Sequence, residues 1–164
     1  MSNIWVLDIE ASGLSPVSYP IEIGLVNAEQ TYQTLIRPEE SWEHWSLKAY
    51  ELHGLSRQDL FEKGRPADVV AKELNSLLAS KVVYSDHQDW DSFWIGRLFE
   101  AVAIEQTFNV ADLSTLLGGH RAETFATCCD KLSQAGDYRA HRALNDARLI
   151  HRAAMLALNS DTPL

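Results

Sequence analysis

The chain has 164 residues, 46% hydrophobic and 23% charged, which suits one globular domain with a real core. Its net charge of -9 argues against broad binding along a long nucleic acid, while leaving room for a site that handles a chain end. There is no apolar run of about 18 residues and no basic-then-apolar leader, and the only two cysteines, Cys128 and Cys129, are adjacent; these features predict a cytoplasmic protein without membrane span, secretory signal or disulfide framework, its cysteines reduced and in the core.

Residues 3–9 predict a first strand. Residues 20–27 predict a second, in which Ile21, Ile23 and Leu25 alternate with Glu22, Gly24 and Val26. A third covers 30–36, and the short spacers fit neighbouring antiparallel strands. Residues 39–63 read as irregular, with room for short helical turns. Pro66 and Asp68 open a helix to about Ala79, with Val69, Val70, Leu74, Leu77 and Leu78 on its apolar side. A short buried strand at 81–85 leads to a helix at 88–103, with Trp90, Trp94, Leu98 and Ala101 in one stripe. Residues 108–113 hold a last strand, followed by a short helix into Gly118-Gly119. Further helices cover about Glu123 to Gln134 and about Leu144 to Leu158. The expected class is α/β, a mixed central sheet of about five strands flanked by helices. Residues 1–158 are expected to form a single domain and 159–164 a short C-terminal tail.

One stretch, Val-Leu-Asp-Ile-Glu-Ala-Ser-Gly-Leu at 6–14, carries acids where a buried strand should be apolar. Buried carboxylates are costly unless paired or bound to metal. Strand alternation points Asp8 and Glu10 to the same face. A second acidic cluster, Asp86, Asp89 and Asp91, lies where a strand meets a helix, the usual place for a site in α/β folds. A third joins His141 to Asp146, which leads the largely apolar face of Leu149, Ile150, Ala153 and Ala157. Convergent carboxylates repel one another, but make good sense around two Mg²⁺ or Mn²⁺ ions. Two such ions about 3.5–4 Å apart stabilise the attacking and leaving oxygens of phosphodiester hydrolysis, and a nearby histidine can take a proton from the attacking water. Zinc is disfavoured, because no His/Cys pair has ligand spacing.

On these residues the chain resembles the DEDDh family of 3′→5′ exonucleases, which has an RNase H-like fold. Asp8 to Leu14 is similar to its first motif, Pro20 to Val26 to the strand that follows, and Leu52 to Ser56 to its His-Gly-apolar loop. His141 to Ala147 matches the last motif, a histidine and, after four residues, an aspartate. The matches run from about residue 4 to 153. The middle motif departs from the family's pattern of His-Asn, a short gap and an aromatic-Asp pair. Ser85-Asp86 stands at the first position and Trp90-Asp91 at the second, so Asp91 is taken as the fourth acid, with Asp86 and Asp89 as rivals.

The resemblance implies that Asp8 binds both metals, that Glu10 and Asp146 complete the first site, and that Asp91 supports the second. It makes His141 the general base and Leu14 an apolar wedge on the terminal base. The backbone near Ala11 and Ser12 would hold the 3′-hydroxyl, and His53 either lines the site or pins its loop. The implied reaction releases nucleoside 5′-monophosphates one at a time from single-stranded DNA or RNA ends or short oligonucleotides. The alternatives are a non-catalytic nucleic-acid-binding module of the same fold and, within hydrolases, an RNA trimmer in the style of the oligoribonucleases. Trp42 and Trp45 are read either as base-stacking platforms or as a packed cluster beneath a loop. Arg139, Arg142, Arg148 and Arg152 form either a solvated helix face or a phosphate-facing surface. A homodimer and a replication or repair complex are both open as assemblies; no membrane partner is expected.

Overall fold

A computed structural model describes residues 3–134 and 138–160. The apolar segments at the start of the chain become β1 (Trp5–Ala11), β2 (Pro20–Val26) and β3 (Thr31–Leu35), a meander of antiparallel neighbours. β4 (Val82–Ser85) then pairs with β1, and β5 (Asn109–Asp112) with β4, both in parallel. The sheet order is β3-β2-β1-β4-β5. Parallel pairs need crossovers, and helices supply them. The first contains α1 (Leu47–His53), α2 (Arg57–Lys63) and α3 (Ala67–Leu78), and the second is α4 (Gln88–Ala101). After β5 come α5 (Ser114–Leu117), α6 (Gly119–Ser133) and α7 (Ala143–Leu158).

Alternation along β1 sorts the core into two. Trp5, Leu7 and Ile9 join Ile21, Ile23 and Leu25 of β2 in a large core with α3 and α4. Val6 and Val26 face the other way, packing with Ala147, Ile150, Ala154 and Ala157 of α7. Burial on both faces explains why every residue of β2 is buried. Asp8 and Glu10 share the parity of Val6, so they lie on the face that α7 covers.

Several expectations are corrected here. β1 runs two residues past the expected end, which places Glu10 inside the strand. The region read as irregular contains two complete short helices, each started by a serine: Ser46 caps α1, and Ser56 with Asp59 forms a capping box on α2. Gly54, at φ 69°, ends α1 in the left-handed region. α6 starts at Gly119 rather than near Glu123 and buries no residue, so Cys128 and Cys129 are half-buried rather than core. Trp42 is 3% exposed and stacks on Tyr19 with ring centroids 5.0 Å apart, while half-buried Trp45 sets its edge against His53. Packing therefore takes both rings from the base-stacking role. α7 ends at Leu158 as expected; of the tail, residues 161–164 lie outside the described residues. Among the described residues, no helix is long and apolar enough to cross a membrane.

Candidate active site

A cavity of about 840 Å³ opens where the acid-bearing end of β1 meets the first turns of α4 and α7. Asp8, Glu10, Asp91, His141 and Asp146 all border it. Ligand atoms of Glu10, His141 and Asp146 lie within 4.8 Å of one another. His141 stands just outside α7 and Asp146 in its first turn. Asp91, in the first turn of α4, is 2% exposed and accepts a 2.5 Å hydrogen bond from the Ser85 hydroxyl. Ser85 in turn accepts from the His87 N–H at 2.9 Å, so the serine at the departing motif orients the acid six residues on. Asp86 is exposed at the cavity's rim, and Asp89 borders only a smaller neighbouring cleft.

The electrostatics register the crowding. Burial holds Asp8 well above the ordinary carboxylate range, and Asp91, Glu10, Asp146 and Asp86 add to the effect. Glu10 is pushed up to about 8 by burial, then by Asp146 and Glu22, against the pull of Arg142. Asp91 rises to about 8 through burial, opposed by the Ser85 hydrogen bond. Asp146 also rises through burial, with the Tyr138 hydroxyl and the His141 backbone N–H opposing. Four acids that disfavour one another's ionisation, gathered from three elements, form a donor set of hard oxygens suited to divalent cations.

Residues 5–153 match the family model of the RNase T type described as Exonuclease. The chain belongs to this exonuclease family. Over 154 residues it is 29% identical to the PolC-type DNA polymerase III of Thermotoga maritima, and equally to that of Thermotoga petrophila. The match takes in 88% of this chain but only 11% of either relative, so the chain spans a small part of their length. Among solved structures it is similar to E. coli exonuclease I in a zinc-bound complex with single-stranded DNA, at TM-score 0.76 and 14% identity. That likeness covers 98% of this chain and 41% of the other. Exonuclease I of Methylocaldum szegediense superposes at TM-score 0.73 and 13% identity, over 98% of this chain and 41% of that one. The fold is thus the RNase H-like fold that the motifs implied, and the resemblance to the 3′→5′ exonucleases holds.

The other expected site residues divide. Ala11 and Leu14 border the cavity, and Leu14 is 74% exposed. Ser12 does not border it. Its N–H donates to the Tyr19 carbonyl, its own carbonyl accepts from Ser46, and its hydroxyl accepts from the Tyr19 N–H. Ser12 therefore braces the turn after β1 rather than offering free backbone groups. His53 pins its loop and also borders the cavity: its Nδ1 accepts from the Leu55 N–H at 3.0 Å. Burial lowers its pKa to about 4, and the buried Nε2 has no partner among the described residues. With Nδ1 accepting, Nε2 carries the proton of the neutral ring. Of the arginines, Arg142 is taken by an ion pair with buried Glu22, while Arg139, Arg148 and Arg152 are exposed. One residue bordering the cavity was missed, Tyr138, which donates to Asp146; so was Glu22, which does not line the cavity but sits opposite Glu10 in the β1–β2 register. Tyr138 had no motif to mark it; Glu22 was visible as an acid in a strand that proved buried throughout.

Proposed function

We propose that the chain is a divalent-metal-dependent 3′→5′ exonuclease of single-stranded ends or short oligonucleotides, releasing nucleoside 5′-monophosphates. The convergence of Asp8, Glu10, Asp91 and Asp146 beside His141 carries this reading. The raised carboxylates fit a cationic occupant, because positive charge among them favours the ionised forms that burial, and for Asp8 and Glu10 also neighbouring acids, disfavour. Asp8 would touch both Mg²⁺ or Mn²⁺ ions, Glu10 and Asp146 the first, and Asp91 the second. When bound, the ions supply Lewis-acid charge to the attacking and leaving oxygens.

The rest falls to the protein. His141 takes the proton of the attacking water as general base. Leu14 presses on the terminal base, with Leu52 and Trp90 also on the cavity wall. The backbone at Ala11 faces the 3′-hydroxyl. His53, held neutral, offers its Nε2 proton to an acceptor on the terminal nucleotide. DNA is the first substrate to test, since the superposing exonuclease I structures hold single-stranded DNA. We infer a replicative setting in the cytoplasm, a reading that the PolC-type relatives and the free thiols support.

The test is degradation of 5′-labelled single-stranded DNA and RNA with Mg²⁺, Mn²⁺ or chelator, alongside Asp8→Ala. The expected result is a metal-dependent ladder shortening from the 3′ end, absent in the variant. Intact strands with every metal would sink the reading.

A further inference from the structure

β2 carries an acid that the proposed reaction does not use. Glu22 is fully buried and sits opposite Glu10 in the β1–β2 register. A carboxylate buried there adds to the crowding unless it is itself neutralised. Its Oε1 accepts from Arg142 Nη2 at 2.6 Å and from Gln33 Nε2 at 2.7 Å. Its Oε2 accepts from Arg142 Nε at 3.0 Å and from the Ala143 backbone N–H at 3.1 Å. These donors occupy both oxygens.

The Ala143 contact is a helix cap supplied from another element. Arg142, the N-cap of α7, makes no side-chain capping bond, and Glu22 brings both acceptor and negative charge to the helix start. Two residues along the strand, Gly24 lets the helix descend onto the sheet: a Cβ there would stand 2.3 Å from the carbonyl carbon of Ala143 and the N of Leu144. Just outside this clamp is His141, at φ 60°, in the left-handed region that a non-glycine residue adopts when its surroundings impose it. One turn inside it is Asp146.

We propose that Glu22 is a positioning residue. Through Arg142 and the Ala143 N–H it sets where the His141 ring and the Asp146 carboxylate stand relative to Asp8 and Glu10. The activity test rests on the exonuclease reading above; a second readout does not. Glu22→Gln, Arg142→Lys and the double variant are compared with wild type on a labelled oligonucleotide at saturating Mg²⁺. Each single variant loses about 10-fold or more in kcat with KM within about two-fold, and the double loses no more than the worse single. Mn²⁺ titration shows weakened affinity at unchanged stoichiometry, and amide exchange from Ala143 to Asp146 accelerates.

Wild-type kcat in both folded single variants, with only a lower Tm, makes the clamp a stability element and overturns the proposal. Loss of one Mn²⁺ in Glu22→Gln but not in Arg142→Lys makes Glu22 a ligand and overturns it too. If Glu22→Gln fails to fold, Arg142→Lys decides alone, because lysine keeps the charge but not the two-pronged contact. A wild-type chain that cuts no strand removes the exonuclease reading instead. Amide exchange then tests the clamp by itself, and unchanged exchange in Arg142→Lys overturns it.

Discussion

Stripping the protein of divalent cations and then raising the pH forces charge onto carboxylates that the fold holds together. Glu10 is held up to about 8 from an ordinary 4.5, and Asp91 up to about 8 from 3.8. In the unfolded chain each ionises near its ordinary value. Below about pH 4 both states keep their protons and no stability is lost. Between there and about pH 8 the unfolded chain has released protons that the fold retains, so stability falls as pH rises. For Glu10, the span from 4.5 to about 8 at about 1.4 kcal/mol per pH unit corresponds to roughly 5 kcal/mol. The acids share the same repulsions, so this figure stands for much of the cluster rather than for each member.

For a domain of this size, at about 2–4 °C per kcal/mol, Tm in chelator drops by roughly 10–20 °C across that window. Saturating Mg²⁺ or Mn²⁺ removes the drop, because the ions bind the gathered acids of the folded state. Glu10→Gln flattens it without metal. Differential scanning fluorimetry at stepped pH, in chelator and in each metal, reads all of these. A Tm in chelator that stays flat or climbs over the window would refute the idea that the fold keeps these buried, crowded acids protonated. An undiminished slope in Glu10→Gln would do the same.

The middle motif is tested by Asp91→Asn, expected to lower kcat about 100-fold or more, against Asp86→Asn, expected to stay within about three-fold, in single-turnover assays. Gly24→Ala drives a Cβ into the backbone of α7 and destabilises the fold by about 1–3 kcal/mol or more, read by urea unfolding. Leu14→Ala removes a side chain that is 74% exposed, so stability stays within about 0.5 kcal/mol while KM for an oligonucleotide rises in steady-state kinetics. Salt dependence of oligonucleotide binding is expected to be shallow: were Lys48, on the cavity wall, and Arg139, beside Gly54, each to meet one phosphate, the log–log slope would be about -1.4.

Much of the site was legible because its acids interrupt apolar patterns. Asp8 and Glu10 break a strand, and Asp146 breaks a helix face. His141 was legible only through its spacing to Asp146. Asp91 was preferred to Asp86 and Asp89 by its place in the departing middle motif; the structure adds depth, since the α4 turn buries Asp91 beside Ser85 and leaves Asp86 at the rim. The helices α1 and α2 escaped periodicity because each has only seven residues, although Ser46, Ser56 and Gly54 were there to mark their ends. Glu22 escaped because alternation suggests a solvated side, whereas α7 covers the second face of β2.

The protein's acidity and its proposed substrate are reconciled by where the acids lie. Asp8, Glu10, Asp91 and Asp146 stand around a cavity rather than along an open surface, and bound cations would offset their charge where a phosphate must sit. Arg142, one of the arginines read as a solvated or phosphate-facing surface, is consumed by Glu22. Beyond the cavity a strand would meet a surface of net negative charge. Affinity on the exonuclease reading must therefore come from the terminal nucleotide: its base against Leu14, an acceptor on it facing His53, and its phosphate at the acids. Such a site favours ends over internal positions and gains little from a longer strand. The strand and the two helix starts that bring the four carboxylates together would, on that reading, also restrict the substrate to what can enter between β1, α4 and α7.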